Sequence, residues 1–171
     1  MMNTKNKKII EENQNNGIRV LIDNNHITVT TLYDIYNEEN GRLDIYEEFR
    51  KQFDLTKKNI ENYSKSKTIW GLFESSFYPN IIENEAIEKF KEKAPYYTLY
   101  VIGVCWGNKK EGDVCSGILQ LTGTENILTD GDFRQLLDDL SFMGDYFLYS
   151  KKYTTTLLKT HSGTLKSGHK L

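Results

Sequence analysis

The chain has 171 residues, 38% of them apolar and 12% aromatic, and its 22 Lys and Arg against 24 Asp and Glu leave a net charge of −2. A single domain of this length buries roughly 70% of its unfolded surface, enough for a core without metals or disulfides. Near-neutral charge argues against direct nucleic-acid binding through phosphate neutralisation, and no run approaches the ~20 apolar residues that a membrane-spanning helix needs.

Residues 1–16 carry the pair Ile9 and Ile10 in a polar setting, with no apolar segment of signal-peptide length, so the expected location is cytoplasmic. Over 18–31, Ile18, Val20 and Ile22 alternate with polar or opposite-facing residues, as do Ile27, Val29 and Thr31. A two-residue loop at Asn24 and Asn25 sets Ile22 against Ile27 and Val20 against Val29, which predicts a β-hairpin continuing to Ile35. Leu43, Tyr46, Phe49 and Phe53 then fall three and four apart, with Glu47, Glu48, Arg50 and Lys51 between them. That spacing predicts an amphipathic helix over 42–53. Asp54 and Thr56 offer caps for a second helical segment through Ile60 and Tyr63, whereas Ile69–Phe73 is apolar without a clear period.

Asn80 is placed to cap a helix over 81–93, with Ile82, Ala86 and Phe90 as its apolar stripe and Pro95 beyond its end. The most strongly patterned stretch follows at 96–121: YYTLYVIGVCW, a polar connection, then CSGILQL. Leu99, Val101 and Gly103 alternate with Tyr100, Ile102, Val104 and Trp106, so the first strand is apolar on both sides, as a covered central strand should be. Symmetric pairing about Lys110 sets Cys105 opposite Cys115. A helix is expected over 132–143, carrying Phe133, Leu136, Leu137 and Leu140 and capped by Gly144, and then one or two strands within 146–158.

These elements predict one α+β domain: a mixed or mainly antiparallel sheet built from hairpins, with three or four packed helices. Residues 1–8 and 160–171 read as flexible tails.

No catalytic, cofactor-binding or metal-binding motif emerges. There is no HExxH or CxxC, and Asp138 and Asp139 point about 100° apart on a helix. The expectation is therefore a non-catalytic protein without a cofactor that binds another protein. Its specific form is a bacterial immunity or antitoxin protein neutralising a toxin, for example a nuclease, through an acidic, Tyr-rich surface. The candidate contacts are Glu47, Glu48, Glu111, Asp113, Asp138, Asp139 and Trp106. Two other readings stand beside it. One is a small enzyme whose site assembles only in the fold, from Cys105 or Cys115 with His26 or from helix carboxylates. The other is a small-ligand module using Trp70, Trp106 and the tyrosines.

Overall fold

The structure, a computed structural model, describes residues 27–34, 42–75, 77, 81–93, 98–108, 110, 112–124, 130–151, 155–160 and 163–169. It is an α+β fold. Among the described residues the elements run β1 (Thr28–Asp34), α1 (Asp44–Gln52), α2 (Lys57–Tyr63), α3 (Ile69–Glu74), β2 (Ile81–Ile82), α4 (Glu83–Lys93), β3 (Leu99–Asn108), β4 (Gly112–Thr122), α5 (Asp130–Asp139), a 3-10 turn (Leu140–Met143), β5 (Asp145–Ser150), β6 (Thr155–Lys159) and β7 (Leu165–His169). All seven strands join one antiparallel sheet in the order β1-β4-β3-β5-β6-β7-β2.

The sheet is buried on both faces, which is why β3 and β5 are apolar on both sides. On one face Val101, Leu119, Leu121, Tyr146, Leu148 and Leu157 meet Ala86, Ile87 and Phe90 of α4 and Phe133, Leu136 and Leu137 of α5. On the other, Ile102, Val104, Ile118, Phe147, Tyr149 and Leu158 meet α1, α2 and α3. That second layer centres on rings: Phe49 lies 5.0 Å from both Phe147 and Tyr149, and Phe73 lies 5.1 Å from Phe147. Tilted and edge-on contacts at these separations add to the burial of each ring.

The helix α1 forms on the expected spacing, burying Tyr46, Phe49 and Phe53 while Leu43 stays at the surface. Thr56 caps α2 by accepting from the Asn59 N–H at 3.1 Å. Gly144 ends the 3-10 turn with a φ of +74°, a conformation that favours glycine.

Four expectations give way. Val104 pairs with Cys115 and Cys105 with Val114, because a bulge after Gly103 and Gly117 leaves Ser116 without an opposite residue. The two cysteines are therefore not opposed: both are free thiols, Cys105 exposed and Cys115 buried. Second, Ile81 and Ile82 do not open a helix. They pair with Ser167 and Lys166 of β7, Ile82 is exposed, and α4 begins only at Glu83. Long-range strand pairing has overridden the helical spacing there.

Third, the segment 160–171 is not simply a tail. Thr160 and Gly163 close a tight turn, with the Gly163 N–H donating to the Thr160 carbonyl at 2.9 Å and φ at Gly163 of +92°. The chain then returns as β7, paired with β6 on one side and β2 on the other, and buries Leu165. Fourth, the alternation along β1 does not run through: an irregularity between Thr31 and Tyr33 puts Tyr33 on the same side as Leu32, against the second core, while Val29 packs in the first. The expected loop at Asn24 and Asn25, the strand before it, Ile35 and the Asn80 cap lie outside the described residues.

Candidate functional site

The far end of the β3–β4 hairpin runs beyond the sheet's covered centre: the last four residues of β3, from Cys105 to Asn108, are all exposed. Trp106 and Asp113 are opposite partners in the register and alternate in phase with Val104 and Cys115, on the side occupied by α1–α3. Their environments diverge sharply. Trp106 is 47% exposed, whereas Asp113 is only 8% exposed.

Asp113 is held by α3. Its Oδ2 accepts from the Ile69 N–H at 2.6 Å, the first amide of that helix, across 44 residues of sequence. A carboxylate on a helix-terminal amide makes a strong, charge-assisted bond. The preceding turn is tied just as closely. Thr68 Oγ1 accepts from the Gly71 N–H at 3.2 Å and lies 2.6 Å from Ser66 Oγ, and the Thr68 N–H donates to Ser64 Oγ at 3.1 Å. A methyl group on Gly71 would collide with Ser64 Oγ, so this turn needs glycine for its close approach. The other carboxylate oxygen, Asp113 Oδ1, is buried without a hydrogen-bond partner, as is the Tyr46 hydroxyl. Burial pushes the Asp113 carboxyl up to about 6, against the opposing pull of the Ile69 amide and the Arg50 charge.

Arg50 organises the opposite wall. Its Nε and Nη2 donate to the Leu55 carbonyl at 3.0 and 2.7 Å, fastening α1 to the turn before α2, and its guanidinium lies 5.7 Å from the centre of the Tyr46 ring. Between this wall and the hairpin lies a pocket of ≈ 340 Å³ lined by Arg50, Lys57, Ile60, Glu61, Lys67, Trp106, Lys110, Gly112 and Asp113. Lys67 Nζ donates to the Glu61 carbonyl at 2.6 Å. The four cations therefore converge from α1, α2, the turn before α3 and the hairpin tip.

Of the residues singled out in the sequence, the structure brings only Trp106 and Asp113 together here; Glu111, between them in the chain, lies outside the described residues. Glu47 and Glu48 project from α1, where Glu48 pairs with Lys151 at 2.9 Å. Asp138 and Asp139 belong to α5, on the other side of the sheet. Asp138 lies 3.4 Å from Lys159 Nζ, while Asp139 is buried and accepts from Gln135 Nε2 at 2.8 Å. Lys159 Nζ also donates to the Leu137 carbonyl and to Ser141 Oγ, which makes this group a clasp on the end of α5. Nor do the described tyrosines form one surface: Tyr46, Tyr146 and Tyr149 are core residues and Tyr63 is exposed.

Of the alternative that combines Cys105 or Cys115 with His26, the described residues hold only the cysteines. Cys115 is buried, its thiol pushed up to about 12 chiefly by desolvation, and it donates to the Gly117 carbonyl at 3.6 Å. His26 lies outside the described residues. No three His, Cys, Asp or Glu side chains converge on a metal-sized site among the described residues, and no described helix is long and apolar enough to cross a membrane.

No family model, curated protein or solved structure matches this chain. Arg50, Lys57, Lys67 and Lys110 were not singled out in the sequence. They run from position 50 to position 110 and share no motif. Tertiary contacts bring them together: the Asp113–Ile69 bond sets the hairpin tip against α3, and the second core packs α1 and α2 on the same face.

Proposed function

We propose that this chain is a non-catalytic binding protein that engages another protein through the tip of the β3–β4 hairpin and the pocket beside it. The observation that carries this is Trp106, a large apolar ring left 47% exposed at the mouth of a pocket whose walls are fixed by hydrogen bonds. Tryptophan is enriched among the residues that dominate interface energetics, because it combines large contact area with few rotamers. A rigid support lets such a ring bind without a large ordering cost.

The narrower reading is an immunity or antitoxin protein that meets a basic toxin site through an acidic face. It draws no support from the dispersed positions of Glu47, Glu48, Asp138 and Asp139. The geometry supports the broader reading, with a toxin as one class of partner to test.

A Trp106→Ala variant should fold with unchanged stability, since the ring makes little of the core. A tagged wild-type chain should retain a stoichiometric protein from its native host at physiological salt, and the variant should lose it. Truncation of a central aromatic anchor costs about 2 kcal/mol or more, some thirtyfold in affinity. Equal retention by the two chains, or no stoichiometric protein with either, would contradict the proposal.

A further inference from the structure

The pocket carries a charge that runs against the whole chain. The molecule has a net charge of −2, yet among the described residues Arg50, Lys57, Lys67 and Lys110 line one pocket against only Glu61 and Asp113. Among the described residues, none of these four cations makes an ion pair. Arg50 spends its donors on the Leu55 carbonyl and Lys67 donates to the Glu61 carbonyl. Asp113, for its part, is committed to the Ile69 amide. Lys57, Lys67 and Lys110 are exposed and Arg50 is half-buried; like charges gathered around a concave place repel one another and focus a positive potential at its mouth. An anion entering it relieves that repulsion.

The walls define what else the occupant must have. Trp106 and Ile60 supply apolar surface beside the cations. The volume of ≈ 340 Å³ stands at the lower end of the roughly 300–1,000 Å³ of small-molecule sites. We infer that this pocket receives an acidic segment of the partner protein, an Asp or Glu carboxylate among the lysines with a neighbouring apolar side chain against Trp106. The inference rests on the protein-binding reading above and gives it a sign. The partner's contacting segment is anionic, the reverse of what an acidic face on this chain would select.

The test uses the full chain with Trp70→Phe, which leaves Trp106 as the sole indole, titrated by fluorescence. Three probes are compared: a capped peptide of alternating Glu and Leu, its Glu→Gln counterpart, and inorganic phosphate. The Glu peptide should bind about tenfold more tightly than the Gln peptide, and Lys57→Gln with Lys110→Gln should remove most of that difference. Raising the salt should weaken the Glu peptide selectively. Equal binding of the two peptides, binding of neither, or an effect of phosphate without one of the Glu peptide would overturn the inference. The two proposals fail separately. If capture of the host partner depends on Trp106 but is indifferent to Lys57→Gln and Lys110→Gln, only the acidic-segment inference falls; if capture does not depend on Trp106, the protein-binding reading itself falls.

Discussion

At Asp113 one carboxyl group is pulled in two directions: the Ile69 amide favours its charged form and burial disfavours it, with burial the larger effect. In the unfolded chain an Asp ionises near pH 4; in the folded chain this one ionises at about 6. Below pH 4 both states hold the proton, and above 6 neither does. Between those values only the folded state keeps it, so stability falls as pH rises from 4 to 6 and then levels off. The shift corresponds to at most about 3 kcal/mol. An Asp113→Asn variant keeps an oxygen for the Ile69 N–H and removes the titration. Relative to wild type, its unfolding free energy should therefore rise by about 1–3 kcal/mol between pH 4 and pH 6.5. Urea denaturation across that range checks it, and a difference that stays flat within about 0.5 kcal/mol would show that the carboxyl group is not held as described.

The elements differ in how plainly the chain announces them. In β3 and α1 the local signal and the tertiary outcome agree: an apolar run on both faces needs a covered central strand, and a three-four spacing needs one covered helix face. In β7 they do not. Leu165 is its only large apolar residue, surrounded by Lys166, Ser167 and Gly168, and the strand exists because β6 and β2 pair with it. The same pairing takes Ile81 and Ile82 out of α4. Deleting residues 163–171 should thus uncover the β6 edge, remove the partner of β2 and the burial of Leu165, and cost at least about 2 kcal/mol in thermal or urea unfolding. A chain in which this segment were only a tail would unfold as before. The site shows the same division. Trp106 and Asp113 stand out in sequence because they flank the hairpin connection, whereas the four cations come from separate elements and gather only through tertiary contacts. The acidic residues fail to gather for the mirror reason, since α1 and α5 cover opposite faces of the sheet.

For the molecule as a whole, the sheet and its two helical layers act as a frame that holds one end of a hairpin rigid. Arg50 clamps α1 to the start of α2, Asp113 clamps the hairpin to α3, and Trp106 is left at the open end between them. The described acidic residues outside the pocket are paired, buried or scattered, whereas the exposed Trp106 ring lies beside four described cations. The most direct test is hydrogen exchange on the full chain alone and in complex with the protein it retains. Protection on binding should concentrate at 104–115 and in the segments that carry Arg50, Lys57 and Lys67, and it should vanish with Trp106→Ala. Protection confined to α4 and α5 on the opposite face, with the hairpin tip unchanged, would contradict the account.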